Sequence, residues 1–184
     1  EERRAQAARE ALLALESSRL RRERGCVEDY DDIAVPVVGG RPLVNFCSND
    51  YLGLARDPRL ATAVSTAAER WGTGAGAAHL VTGHAAPHHA LEEALAAFTG
   101  REAALLFSTG YMANVGALGA MLERGDRAVQ DRLNHASLLD GALLAGARLL
   151  RYRHASVEDA ARCLRADDEH AQCLVTDGVF SMDG

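Results

Sequence analysis

The chain of 184 residues contains no lysine, because all 20 of its basic residues are arginine. It also lacks a Cys-x-x-Cys pair, and its four cysteines are scattered at Cys26, Cys47, Cys163 and Cys173. This spacing argues against a disulfide framework or a zinc ribbon, so we expect reduced, buried thiols. No apolar run reaches the roughly 20 residues of a membrane-spanning helix.

Basic residues are outnumbered, since 26 acidic side chains leave a formal net charge of −6 at pH 7. A nucleic-acid binder needs a basic face, so this balance argues against that class of protein. The N-terminal stretch EERRAQAARE has no apolar core of a signal peptide, and we expect a cytoplasmic protein. What is present is the composition of a soluble globular protein, with 48% hydrophobic residues and enough length for one core.

The first part of the chain predicts a helix followed by a hairpin. Residues 1–24 have the pattern of a charged amphipathic helix. Two short β-like runs, Ile33–Val38 and Leu43–Cys47, flank Gly39-Gly40, with Arg41-Pro42 completing the turn.

From residue 87 onward, apolar strands alternate with single helices. The predicted strands are Glu102–Phe107, Arg127–Asp131, Arg148–Arg153 and Gln172–Phe180. The predicted helices there are 89–98, 112–122, 135–147 and 156–167, and an earlier helix over 58–71 is predicted to start at Asp57-Pro58. This alternation predicts an α/β fold with a mainly parallel sheet, which binds ligands at the carboxyl ends of its strands.

At the first strand end, Ser108-Thr109-Gly110 separates an apolar run from a helical one. The first N–H groups of a helix have no internal acceptor, and the helix dipole is positive there. Gly110 allows a ligand to approach the backbone, so the junction suits a phosphate. An ordinary turn capped by serine or threonine explains the same residues equally well.

The next two strand ends carry His135 and the pair Asp177 and Ser181. We expect Asn134 or Ser137 to cap the helix after His135. An imidazole at this place can stack on an aromatic ligand and transfer a proton, although a structural histidine beside a cap is the alternative. Together the three strand ends predict a site for a phosphorylated aromatic cofactor.

Several of the seven histidines lie close together, among them His84, His88 and His89. His84 and His88 could share a helix face as metal ligands, but Pro87 interrupts that helix and no carboxylate or cysteine completes a ligand set. We therefore expect no metal site and interpret this stretch as a solvated loop entering a helix. The preceding segment 72–83 is rich in glycine, which predicts unusual backbone dihedrals or a close approach.

Six stretches resemble, in order, the α-oxoamine synthase family of pyridoxal 5′-phosphate (PLP) enzymes, within the fold type I aminotransferase-like group. They are NFCSNDYLGL, the segment 72–83, HHALEEALAAF, ALLFSTGYMAN, DRLNHASLLDGA and VTDGVFSMDG. The resemblance implies a three-layer α/β/α PLP-binding domain from residue 49, preceded by a helix-and-hairpin segment over 1–48. It also implies a homodimer in which the segment 72–83 lies near the partner's active site.

The resemblance implies cofactor contacts at matching positions. Gly110 and Tyr111 would bind the PLP phosphate through their backbone N–H groups. His135 would stack on the pyridine ring, face the substrate and act as the catalytic histidine. Ser181 would hydrogen-bond the phenolic oxygen of the ring, and Asp177 stands where several members carry glutamate.

Substrate contacts are implied in the N-terminal part. Asn49 would lie near the substrate carboxylate, and Arg21, with Arg22 as the alternative, would contact the substrate. The stretches most resemble members that condense a pimeloyl thioester, on CoA or a carrier protein, with L-alanine in biotin biosynthesis. Members that use glycine or serine are the alternative.

The absence of lysine matters because the family attaches PLP to a lysine amine. We expect the 184 residues to be the N-terminal part of a longer enzyme, inactive alone, with uncovered sheet edges and apolar faces. Two alternatives remain. One is a non-catalytic subunit that pairs with a lysine-bearing homologue, and the other is an unrelated α/β phosphate-binding module.

Overall fold

The computed structural model describes residues 2–32, 35–164, 170–181 and 183–184, and it divides the chain into two compact units, 1–75 and 76–184. No helix in these described ranges is both long and apolar enough to cross a membrane. The four cysteines are free thiols, but Cys26 and Cys47 are exposed rather than buried as expected.

The first unit contains two helices and a small sheet. Its helical elements are α1 (Glu2–Ser17), a 3-10 helix (Leu54–Arg56) and α2 (Pro58–Trp71). α1 is shorter than predicted, because the chain leaves the helix before Arg19, which adopts a left-handed conformation at φ 56°. Asp57 caps α2 by accepting the N–H of Arg59 at 2.8 Å, and Pro58 fits the first turn.

The hairpin is present, but its second strand differs from the prediction. The strands are β1 (Asp29–Asp32), β2 (Val35–Val38) and β3 (Arg41–Pro42), antiparallel in that order. Gly39 and Gly40 have φ of 58° and 69°, the backbone of a two-residue turn, and this places Arg41 opposite Val38. Leu43–Cys47 therefore lies beyond the hairpin, and residues 33–34 lie outside the described ranges.

The second unit is built on a parallel sheet. Its strands are β4 (Arg127–Asp131), β5 (Arg148–Tyr152) and β6 (Gln172–Val175). Its helices are α3 (Ala86–Thr99), α4 (Gly110–Met121), α5 (Ala136–Leu144), α6 (Val157–Leu164) and a π-helix at His79–Gly83. The order is β5-β4-β6, with β4 parallel to both neighbours, so the predicted parallel sheet is confirmed.

Helices cover both faces of β4, and every residue of this strand is buried. On one face, Ala128 packs with Leu118 of α4 and Ala142 of α5. On the other face, Val129 packs with Ala160 of α6. The strand is not a continuous apolar run, because Arg127, Gln130 and Asp131 are polar residues that are buried with Ala128 and Val129.

The strand predicted over Glu102–Phe107 is wrong. These residues form no ladder, and Leu105 is 74% exposed. The N–H of Leu106 donates instead to a carboxylate oxygen of Glu92 at 3.0 Å. An apolar extended segment becomes a strand only where a neighbour completes its backbone hydrogen bonds, and none of the described residues does so.

The glycine-rich segment has the unusual backbone that its composition predicts. Gly72 and Gly76 have φ of 77° and 71°. At Gly83, a Cβ atom would lie 1.9 Å from the carbonyl oxygen of Ala77, so only glycine fits.

Apolar side chains are exposed in both units, as we expect from the sequence. Phe46 in the first unit is 93% exposed, and Phe98 in the second is 88% exposed. Apolar surface of this kind is open to a further contact.

Candidate functional site

Two predicted site residues meet at the carboxyl edge of the parallel sheet. His135 follows β4 and Asp177 follows β6, and because these strands are parallel, both residues emerge at the same edge. The backbone N–H of His135 donates to Oδ2 of Asp177 at 2.6 Å. His135 is an exposed residue, whereas Asp177 is half-buried.

His135 is itself the N-cap of α5, so the expectation of Asn134 or Ser137 as the cap is wrong. Nδ1 of His135 accepts the backbone N–H of Ser137 at 3.2 Å and lies 2.7 Å from its hydroxyl. The Asn114 side chain of α4 donates to that hydroxyl oxygen at 2.9 Å. Because a backbone N–H can only donate, Nδ1 is an acceptor and the neutral ring carries its proton on Nε2.

Asn134 is not available as a cap because it joins the ends of β4 and β6. Its Nδ2 donates to the carbonyl of Val175 at 2.8 Å, and its Oδ1 accepts the N–H of Asp177 at 3.1 Å. The Asn134 side chain thus forms the hydrogen bonds that a neighbouring strand would otherwise form with the backbone at the end of β6. The strand therefore stops at Val175 instead of continuing to Phe180 as predicted, and Asp177 is held beside His135.

Gly110 and Tyr111 open α4, with Thr109 as the N-cap that accepts the N–H of Met112 at 3.1 Å. The N–H groups of Gly110 and Tyr111 lie in the first turn, where helix geometry supplies no acceptor and the dipole is positive. The Tyr111 hydroxyl donates to Asp140 of α5 at 2.5 Å. This hydrogen bond, together with desolvation and the charge of Asp140, raises the pKa of Tyr111.

The remaining predicted contacts are Ser181, Arg21 and Asn49. Ser181 is exposed in a turn, and in the described part of the chain no hydrogen bond joins it to His135. Arg21 and Asn49 belong to the first unit, where Arg21 pairs with Glu16 at 3.2 Å and Asn49 is exposed. Their assigned roles stay predictions.

Asp131, the last residue of β4, was not among the predicted site residues and is only 1% exposed. It accepts the N–H groups of Leu133 and Ala155, each at 2.9 Å, and Nδ1 of His154 lies 3.0 Å away. Burial works to raise the pKa of this carboxyl, but the hydrogen bonds and His154 outweigh it and lower the pKa. Its position at the end of the predicted strand RAVQD could have indicated this residue, because ligands bind at the carboxyl ends of parallel strands.

A small pocket adjoins Asp131 on the α6 side of the sheet. Its volume is about 200 Å³, and Tyr152, Ala160 and Phe180 line it. The edge of the Phe180 ring meets the His154 ring at a centroid distance of 4.6 Å. The pocket is mainly apolar, with polar side chains from Asp131, Ser156 and Thr176, and neither His135 nor Asp177 is among its lining residues.

The family model for aminotransferase class I and II matches residues 41–184. The chain belongs to the class I and II aminotransferase family. A family relative, 8-amino-7-oxononanoate synthase from Methylococcus capsulatus, is 56% identical over 174 residues, which are 95% of this chain and 45% of that protein. The enzyme of the same name from Pseudomonas aeruginosa is 60% identical over 149 residues, 80% of this chain and 37% of that protein.

Solved structures match as well. Serine palmitoyltransferase from S. paucimobilis with bound PLP-myriocin aldimine aligns with a TM-score of 0.83 and 31% identity, covering 96% of this chain and 45% of that one. The fold type I α/β architecture implied by the resemblance is thereby confirmed. The chain spans about half the length of the relatives it matches.

Proposed function

We propose that these residues belong to a PLP-dependent C-acyltransferase that condenses a pimeloyl thioester with L-alanine. The products would be 8-amino-7-oxononanoate, CO2 and the released thiol carrier, CoA or a carrier protein, in biotin biosynthesis. The supporting observation is the identity of 56% and 60% to two 8-amino-7-oxononanoate synthases. Identity to serine palmitoyltransferase is 31%, so the sibling reaction with serine is not favoured.

The donor groups of the second unit would suit PLP. The N–H groups of Gly110 and Tyr111, at the positive end of α4, suit its phosphate. The exposed imidazole of His135 suits stacking on its ring, and the Ser181 hydroxyl would bind its phenolic oxygen. When bound, PLP supplies an electron sink for chemistry at the α-carbon of an amino acid.

The cap contact determines how His135 would act. Since Nδ1 is engaged by the N–H of Ser137, only Nε2 of the ring is available to meet a substrate. The hydrogen bond from the His135 backbone N–H to Asp177 would hold His135 in position at the carboxyl edge of the sheet. His135 would thus present one N–H at a defined place beside the reacting carbon.

The remaining parts of the proposal concern the whole protein. Arg21 and Asn49 would bind carboxylate groups of the substrates, as cationic and amide donors do. The amine that holds PLP in the family is not among residues 1–184, which contain no lysine. A homodimer and a cytoplasmic location are also proposed, on the basis of the resemblance.

The experiment measures CoA release from pimeloyl-CoA by the full-length protein with L-alanine, glycine or serine. We expect release with alanine and a visible PLP band that borohydride abolishes. His135→Ala should lower kcat/KM at least about 100-fold, whereas His170→Ala, at an exposed histidine outside the site, should change it by less than about twofold. Preference for glycine or serine would replace the proposed substrate, and unchanged turnover of His135→Ala would overturn the role of this residue.

A further inference from the structure

Four histidines gather where the π-helix meets α3. The ring centroids of His79, His84 and His88 lie between 4.8 and 5.7 Å apart, and His89 lies 6.0 Å from His84. Pro87 stands in the first turn of α3, where a missing N–H costs nothing. It therefore starts the helix rather than interrupting it, contrary to the sequence-based expectation.

A carboxylate completes a ligand set within this cluster, so the expectation that none would do so is wrong. The ligand atoms of His84, His89 and Glu92 lie within 4.8 Å of one another. His89 and Glu92 share a face of α3 because they are three residues apart. His84 reaches that face from the preceding loop, with Nε2 3.7 Å from Oε2 of Glu92.

Two further contacts orient this set. Nδ1 of His84 lies 3.1 Å from Nδ1 of His79, which leaves Nε2 of His84 for a cation. The N–H of Leu106 donates to Oε1 of Glu92 at 3.0 Å, which leaves Oε2 directed at His84. Metal ligands in proteins are held in this way, with the second polar atom of each side chain engaged by a neighbour.

We propose that His84, His89 and Glu92 form a binding site for a divalent transition metal ion, with zinc as the best match. Two imidazoles and one carboxylate are ligands that such borderline cations take, and water completes the coordination. A hollow of about 250 Å³, lined by His89, Glu92 and Glu102 among others, borders the set and admits solvent. None of the three ligands is assigned to PLP, so the site is independent of the proposed catalytic function.

The experiment titrates the full-length protein, without a histidine tag, with Zn²⁺ in a calorimeter. We expect one Zn²⁺ per chain, and both His84→Ala and Glu92→Gln should raise the Kd at least about tenfold. Glu92→Gln keeps an oxygen for the N–H of Leu106, so its fold is maintained. Glu69→Gln is the control, because Glu69 is an exposed glutamate of α2 outside the set, and its Kd should stay within about twofold.

Substitution of Co²⁺ for Zn²⁺ provides a second measurement. A cobalt site of low coordination number absorbs strongly in the visible range, and we expect this band in the unchanged protein and its loss in Glu92→Gln. Absence of saturable binding, or equal weakening by Glu92→Gln and Glu69→Gln, would overturn the proposed site.

Discussion

The backbone N–H of His135 donates to the carboxylate of Asp177 at 2.6 Å, and this contact connects the loops after β4 and β6. The two residues are far apart in the sequence, and only the parallel pairing of β4 with β6 brings them together. The Asn134 side chain reinforces the connection by holding the end of β6.

Replacing Asp177 tests this contact. Asp177→Ala leaves the His135 N–H without its acceptor and should lower the free energy of unfolding by about 1 kcal/mol. Asp177→Asn keeps an acceptor oxygen and should cost less than Asp177→Ala. Urea denaturation measures the stability, and a PLP titration of the full-length protein should show weaker binding by Asp177→Ala. Equal stability of Asp177→Ala and the unchanged protein would contradict the importance of this hydrogen bond.

Ser137→Ala tests how the ring of His135 is held. The variant removes the hydroxyl that lies 2.7 Å from Nδ1, and only the longer contact to the backbone N–H remains. In ¹⁵N NMR of the imidazole, we expect one tautomer, with its proton on Nε2, in the unchanged protein and a mixture in Ser137→Ala. Ser65→Ala, at an exposed serine of α2, is the control and should preserve the single tautomer. Identical ¹⁵N shifts in Ser137→Ala would show that the hydroxyl does not orient the ring.

Two helical glycines predict opposite effects of the same substitution. At Gly141 of α5, a Cβ atom would lie 2.9 Å from Cδ1 of Leu118 and 3.2 Å from the carbonyl oxygen of Asn114. Gly141→Ala should therefore destabilise the protein by about 1–3 kcal/mol through overpacking between α4 and α5. At Gly119 of α4, a Cβ atom would meet nothing within 4 Å, so Gly119→Ala should stabilise by about 0.5–1 kcal/mol. Thermal unfolding of both variants checks the difference, and a stabilised Gly141→Ala would refute the close helix contact.

We expect Asp131 to contribute to a decrease in the free energy of unfolding in acid. Its pKa is lower in the folded protein than its ordinary value of 3.8, so the unfolded chain binds more protons in acid. The stabilising contribution is complete above 3.8 and falls as the pH drops from there through the folded-state pKa.

The measurement is the free energy of unfolding in urea between about pH 2 and pH 7. Asp131→Asn should be less stable at neutral pH and should show a flatter dependence on pH in acid. Asp183→Asn, at an exposed aspartate, should keep the slope of the unchanged protein. The same acid slope in Asp131→Asn would show that this carboxyl does not contribute to it.

Local patterns were sufficient for the elements that depend on nearby residues. Asp57-Pro58 marks the start of α2 at the predicted residue, and RAVQD is β4 with the predicted bounds. The alternation of these strands and helices predicts the parallel sheet, because a crossover of this length allows parallel pairing. The prediction was wrong where an element depends on a neighbouring strand. Glu102–Phe107 has no such neighbour among the described residues and forms no strand.

The sequence by itself therefore determined the α/β class, the parallel strands and the placing of His135 and Asp177 at strand ends. Only the tertiary structure decided that His135 caps α5 and that Asn134 ties β6 to β4. It also decided that Glu92 completes the histidine cluster. The physical reason is that helix starts and strand runs follow from local preference, whereas these hydrogen bonds and ligand sets join side chains that meet only when the elements pack.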